Sequence, residues 1–186
     1  MEAKNINLEK RSILRAKKDK EAFEFLYSKY FSRINNFVFH RVKDKHIKDE
    51  IVSNTFFKAM ENIENFKING YENNNFSAWL YRIAISEIGN YFRNEKKQKR
   101  VKEEINKKPD KGSPMKPDID FETVREKMRE LSEYEINLIT LRFFEKLKHS
   151  EIAGILQEKT NTIRVQVHRA LKKLYKLLEG DNHEKF

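Results

Sequence analysis

The segment HSEIAGILQEKTNTIRVQVHRALKKLYKLL, residues 149–178, decides how this chain is read. It gives a short helix over Glu151 to Gln157 and a longer one from about Asn161 to Leu178. Along the longer helix Ile163, Val167, Ala170, Leu174 and Leu177 return at three- and four-residue steps, the pattern of one buried face. The opposite side carries Arg164, His168, Arg169, Lys172, Lys173 and Lys176. Upstream, Leu131-Ser132-Glu133-Tyr134-Glu135-Ile136 opens another helix that runs to about Lys146. Ser132 and Glu135 there fit a capping box, and Leu131 and Ile136 a hydrophobic staple. Three helices with a short break between the last two outline a helix-turn-helix. Guanidiniums in front of an apolar back suit the major groove, where arginine grips guanine through two acceptors. The same charges fit a solvated basic face on an ordinary bundle helix.

N-terminal to this unit, all three prolines (Pro109, Pro114 and Pro117) fall in one window with Gly112 and Ser113. Proline breaks both helix and sheet hydrogen bonding, so the cluster reads as a linker. Both flanks read as helical, and neither alternates as strands do. The expected fold is therefore all-α: two small helical domains, residues 1–98 and 120–186, joined by a flexible linker over 99–119. In the first domain Asp19 caps a helix carrying Phe23, Leu26, Tyr27, Tyr30, Phe31, Ile34, Phe37 and Val38. A second helix follows Asp44 with Ile47, Ile51, Val52, Phe56, Ala59 and Ile63 inward. A third begins near Asn75 and buries Phe76, Trp79, Leu80, Ile83, Ala84, Ile88 and Tyr91. Trp79 lies in the apolar stripe and reads as core. The polar stretch Lys67 to Asn75 separates the last two helices, with a turn at Asn69-Gly70.

The chain has 39 Lys plus Arg against 29 Asp plus Glu, a net charge of +10 that points to a polyanionic partner. It has no cysteine, which excludes disulfides, thiolate zinc sites and cysteine nucleophiles. His40, His46, His149, His168 and His183 lack metal-ligand spacing. Asp118, Asp120 and Glu122 lack the glycine and spacing of a calcium loop and read as caps for the next helix. No glycine-rich phosphate loop is present. No metal, no cofactor and no small-molecule substrate is expected. Met1 to Lys10 has no signal-peptide core, and no apolar run approaches the ~20 residues that cross a bilayer. A cytoplasmic protein without membrane insertion is expected.

The residues carry a family resemblance. Ser150-Glu151-Ile152-Ala153, Thr162-Ile163-Arg164 and Arg169-Ala170-x-x-x-Leu174 resemble the promoter-reading C-terminal domain of bacterial sigma factors of the extracytoplasmic-function (ECF) class, within the sigma-70 family. LuxR-type regulators share much of that half. The other half discriminates. Ala22-Phe23-x-x-Leu26-Tyr27-x-x-Tyr30, then Asp49-Glu50-Ile51-Val52 leading to Phe56-Phe57-Lys58-Ala59, then Phe76-x-Ala78-Trp79-Leu80-Tyr81-Arg82-Ile83-Ala84 resemble the family's N-terminal domain, in order and spacing.

The resemblance implies a non-enzymatic initiation factor that binds core RNA polymerase and promoter DNA, with an anti-sigma factor among the partners of the class. The second helix would dock on polymerase through Asp49, Glu50, Ser53 and Asn54; the family usually has Gln and Glu where this chain has Ser53 and Asn54. Phe66, the Lys67 to Asn75 loop, Ser86 and Asn90 would form the −10 base pocket, with Ser86 replacing the family's common Asn. Arg93, Lys96 and Lys97 would hold phosphate near the −10 duplex, and Lys99, Arg100 and Lys102 fit either that role or a solvated helix end. Arg164, Val165, His168 and Arg169 match the positions that read the −35 element. Asn161 and Thr162 stand at the helix start, where a phosphate can be held, and Lys172 and Lys173 lie further along. Lys148 stands where the family favours an N-cap serine, at a cost of about 1 kcal/mol in capping. Two rival readings are a stand-alone LuxR-like regulator and a recombinase-type enzyme. The second needs an acidic or nucleophilic cluster that the first ~100 residues lack.

Overall fold

The computed structural model describes residues 2–42, 44–68, 75–105 and 121–183, and no strand occurs among them. Among the described residues eight α-helices follow one another: α1 Glu2–Ala16, α2 Glu24–Phe39, α3 Lys45–Glu61, α4 Phe76–Ile105, α5 Phe121–Met128, α6 Glu133–Ile139, α7 His149–Leu156 and α8 Thr160–His183. The cap expected at Asp19 is in place, and Asp44 and Asn75 cap the next two helices; Asp118, Asp120 and the Glu122 side chain, expected to cap the helix after the linker, lie outside the described residues. Asp19 accepts from the Glu21 N–H, Asp44 from the Ile47 N–H and Asn75 from the Ala78 N–H. Ser132 and Glu135 close the capping box of α6. Lys148 gives α7 no side-chain cap, but its N–H donates to Glu151 at 2.7 Å, so half of a box survives without the serine.

Three local features differ from the sequence reading. The turn after Asp19 is a 3₁₀ turn, Lys20–Phe23, before α2 begins. The helix expected to reach Lys146 breaks earlier, because Thr140–Phe144 widens into π geometry and Lys146 turns left-handed at φ 56°. The highly charged N-terminus forms α1, and the segment expected as linker from residue 99 is helical as far as Ile105. The proline cluster lies outside the described residues.

Helices α2, α3 and α4 build the first core around Leu26, Ile34, Phe37, Ala59, Phe76, Leu80, Ala84 and Ile88. Ile13 and Ala16 of α1 also belong to it. That core does not stop at the domain boundary. Leu138, Leu141, Ile152, Ile155 and Ile163 from the C-terminal half join the same cluster, while Met128, Leu131, Ile139, Ala170 and Leu174 form a smaller second one.

Polar contacts seal the seam. The Arg41 guanidinium, with its side chain only 2% exposed, donates to Glu133 and Asn137 of α6. Tyr81 Oη donates to Glu145 at 2.8 Å, and Arg82 donates to the Gly154 carbonyl of α7 at 2.8 Å. His40 stacks on Phe144 at 4.3 Å. Burial, and next to it the Arg125 charge, push the His40 imidazole below its usual range. Beside Arg41 the packing is incomplete, leaving a cleft of about 470 Å³ lined in part by Phe92, Arg125, Arg129 and Ile136.

The two ends of the Arg41 contact are unequal, because the Glu133 side chain is 56% exposed while Asn137 is buried. Replacing Arg41 by Met strips a buried amide oxygen of its donor and should cost about 1–3 kcal/mol. Glu133→Gln should cost under about 1 kcal/mol, since solvent compensates an exposed partner. Urea titration of both variants checks this ordering; equal losses contradict it.

Candidate nucleic-acid interface

The C-terminal site rests on how α8 is held. Ile163, Val167, Ala170 and Leu174 are buried, and they bring the helix against α6 and α7. Gln157 ends α7 in the left-handed region at φ 58°, and the Glu158 N–H donates back to the Ala153 carbonyl at 3.0 Å. A glycine usually takes such a position, so the sharp turn into α8 is made against a modest backbone cost. With its back fixed, α8 turns Asn161, Arg164, Val165, His168, Arg169, Lys172 and Lys176 to solvent, with Thr162 half-buried at its start. Lys173, also exposed, is tied back to the support. Its ammonium donates to both Glu135 carboxylate oxygens, at 2.9 and 3.2 Å, and so ties α8 to the capping box of α6.

The second site lies along α4. Trp79, Ile83, Ser86, Asn90, Arg93 and Lys97 recur at steps of four and three, forming one stripe about 27 Å long. Its first half faces the end of α3. There Lys58, Asn62, Asn65, Trp79, Ile83, Ser86 and Glu87 line a pocket of about 390 Å³. Lys58 pairs with the buried Glu87 at 2.7 Å across its wall. Trp79 is held by Phe66 at 5.0 Å and Phe76 at 5.5 Å between ring centres. The pocket therefore offers one aromatic wall and a set of amide, hydroxyl and charged edges, the composition an unstacked base needs. The second half of the stripe is basic: Arg93, Lys96 and Lys97 are exposed.

Several expected residues sit differently. Phe66 is buried behind Trp79, not on the pocket surface. Trp79, read as core, packs half-buried against that core and also lines the pocket. Ser86 is exposed on the rim. Asn90 is half-buried, donates to Glu87 at 3.4 Å and accepts from Arg93. The side chains of Lys99, Arg100 and Lys102, and residues 69–74 of the polar loop, lie outside the described residues. Sequence reading missed Lys58, Asn62, Asn65 and Glu87. The four-residue step from Lys58 to Asn62 on α3 was the available signal, but nothing local tells that it faces Ser86.

A third surface lies on α3. Asp49, Glu50 and Ser53 are exposed and Asn54 half-buried. A hydrogen bond from Lys48, 2.9 Å away, holds the Asp49 carboxyl below its usual range. Exposed Phe57 and the Tyr27–Phe31 pair beside Phe56 add an apolar margin; the sequence reading placed Tyr27 and Phe31 on the apolar stripe of their helix. Among the described residues no group of three or more His, Asp or Glu side chains is placed to hold a metal, and no helix is long and apolar enough to cross a membrane.

Comparison with known proteins agrees with both halves. Residues 26–98 match the Sigma-70 region 2 model and residues 121–174 the Sigma-70 region 4 model. SigV, an RNA polymerase sigma factor of Bacillus subtilis, is 31% identical over 72% of this chain and 80% of its own. The ECF RNA polymerase sigma factor BldN of Streptomyces coelicolor is 24% identical over 87% of this chain, which spans 62% of that protein. The fold is similar to that of the sigma factor RpoE of Bartonella quintana, solved with the anti-sigma factor NepR. The TM-score is 0.63 at 20% identity, covering 84% of this chain and 96% of that one.

Glu135 ties α8 to α6, and its carboxyl gives a pH signature. Burial pushes that carboxyl up, but hydrogen bonds from the Ser132 N–H, Lys173 and the Ser132 hydroxyl outweigh it and leave it below the ordinary 4.5. A lowered folded value means stability that is present above pH 4.5 and lost as pH falls through the depressed value. Unfolding followed from pH 6 to pH 3 should show this loss in the parent protein and a shallower one in Glu135→Gln. Parallel curves contradict it.

Proposed function

This chain belongs to the sigma-70 family, in its ECF class, and from that premise we propose which of its surfaces perform each step of promoter-directed initiation. The observation that carries the reading is the pairing, in one chain, of two different nucleic-acid faces: a helix-turn-helix front on α8 and a base-sized pocket continuous with a basic helix face on α4. A stand-alone regulator needs only the first.

Asp49, Glu50, Ser53 and Asn54, with Phe57 and the Tyr27–Phe31 margin, make the contact to core RNA polymerase. Arg164, Val165, His168 and Arg169 read the −35 element, with Val165 offering a methyl contact to thymine. Asn161 and Thr162 meet phosphate at the helix start, and Lys172 and Lys176 meet it further along. Lys173 reaches DNA only by leaving Glu135, a modest cost for an exposed pair. At the −10 element Trp79 stacks a displaced base and Asn62, Asn65 and Ser86 present hydrogen-bonding edges. Phe66 supports Trp79 from behind, Asn90 continues the edge beyond Ser86, and Arg93, Lys96 and Lys97 grip the adjoining backbone. The chain acts in the cytoplasm by binding and contributes no catalytic step.

The two DNA elements are named for positions about 25 base pairs apart, roughly 85 Å at 3.4 Å per pair. A globule of this length is about 40 Å across. The packed halves therefore part before both elements are engaged, and core polymerase supplies the scaffold that fixes the new spacing. The incompletely filled cleft beside Arg41 makes this seam easier to open than a close-packed core. Before engagement the same surfaces are open to an anti-sigma factor, the kind of partner with which RpoE was solved.

Reconstitution with core polymerase should yield promoter-specific runoff transcripts, whereas the chain alone binds duplex DNA weakly. Nanomolar, sequence-specific binding by the free chain at physiological salt overturns the assignment. Within the holoenzyme, Arg164→Ala or Arg169→Ala should cost about 1–3 kcal/mol and relax one −35 position. Lys176→Ala should weaken all sequences alike and lower the salt slope by roughly 1. Uniform losses in both arginine variants, with base preference intact, contradict the placement of α8 in the groove.

A further inference from the structure

Lys17 lies just beyond α1, outside the stretch that matches the region 2 model. Its side chain crosses 47 residues of sequence to the end of α3. There its ammonium donates to the carbonyl of Glu64 at 3.1 Å and to that of Phe66 at 2.5 Å. These two carbonyls flank Asn65, whose side chain lines the α4 pocket. They also belong to the short 3₁₀ turn Ile63–Asn65 and its C-cap Phe66, where a helix end leaves carbonyls without an internal partner. An ammonium has three donors, and bonds from a charged donor are about twice as strong as neutral ones.

The grip bears on the pocket in two ways. Holding the Glu64 and Phe66 carbonyls sets the direction in which Asn65 leaves the backbone between them. Holding Phe66 also sets the ring that supports Trp79 at 5.0 Å and packs edge-on against Phe76 at 5.5 Å. Lys17 is itself anchored. Ile13 and Ala16, four and one residues back, are buried in the core, and the Lys17 N–H donates to the Ile13 carbonyl at 3.1 Å. Further up α1, Glu9 accepts from Lys29 and, at 2.8 Å, from the Tyr30 hydroxyl. A line of contacts thus runs from α2 through α1 to the turn beside the pocket.

We propose that Lys17 is a positioning residue for −10 base selection: through the Glu64 and Phe66 carbonyls it fixes the Asn65 edge and the Trp79 wall of the pocket. The inference rests on the reading of that pocket as the site of a displaced −10 base. Lys17 touches no DNA in this role; it narrows the range of positions available to the two side chains that do.

The test uses full-length holoenzyme, reconstituted with core polymerase, on a promoter library randomised through both elements, with transcripts sequenced. Parent, Lys17→Met, Lys17→Arg and Trp79→Ala are compared. Lys17→Met should relax preference at one −10 position by roughly three- to tenfold while −35 preferences stay as in the parent. Lys17→Arg, which keeps a charged donor, should recover part of it. If Lys17→Met lowers the thermal midpoint enough to cloud the comparison, Lys17→Gln, with its neutral donor, takes its place and the same outcome is required. Unchanged −10 preferences in the lysine variants, with a shift in Trp79→Ala, overturn the role of Lys17 and leave the pocket assignment standing. No shift in Trp79→Ala overturns the pocket assignment and this inference with it. Loss of preference spread evenly over −10 and −35 positions marks Lys17 as merely structural and also overturns the proposal.

Discussion

Helix α4 has to satisfy three neighbours at once, and the arrangement of the molecule follows from that constraint. One side, with Phe76, Leu80, Ala84 and Ile88, is buried against α2 and α3. A second side, through Tyr81 and Arg82, receives the C-terminal half. The third carries Trp79, Ile83, Ser86 and the basic residues beyond. A helix has room for three such faces only if each is narrow, about one residue in every three or four. That is why the face with the pocket and the basic residues is a thin stripe and not a broad patch, and why Lys58 of α3 and Asn62 at its end complete the pocket.

The seam between the halves combines apolar burial with charged and polar groups whose bonds need definite geometry. Burial alone would let α7 slide on α4. The Tyr81–Glu145 bond and the Arg82 bond to a backbone carbonyl fix one register, since each buried polar group must find its partner. Burial pushes both the Tyr81 hydroxyl and the Glu145 carboxyl up, the carboxyl against the pull of the Tyr81 bond, so both groups stay closer to neutral than they would in water. A seam of this kind is specific without being strongly stabilising. Removing one partner is costly, yet the net gain over separated, solvated halves is small. That balance suits the proposed parting of the two halves on the promoter.

The sequence by itself determined the helices, most of their caps, the helix-turn-helix and the family, because these are encoded locally. Periodicity over two or three turns says which face of a helix is apolar, and Asp19, Asp44, Asn75 and Ser132 mark starts through bonds spanning two or three residues. Helix α1 escaped that reading because its charges dominate its composition and only two of its described residues, Ile13 and Ala16, are buried. Tertiary structure alone decided which apolar faces meet and which polar groups pair. An apolar stripe carries no address. Nothing near Trp79 distinguishes a core tryptophan from a pocket wall until α3 arrives on one side of it. Arg41 reads as one more surface cation, and only contacts 92 and 96 residues away make it a buried tie. Lys17 reaches 49 residues ahead in the same way. Such long-range pairings are selected by the geometry of the packed state, where losing water forces each polar group to find a partner, and no local pattern records which partner that is.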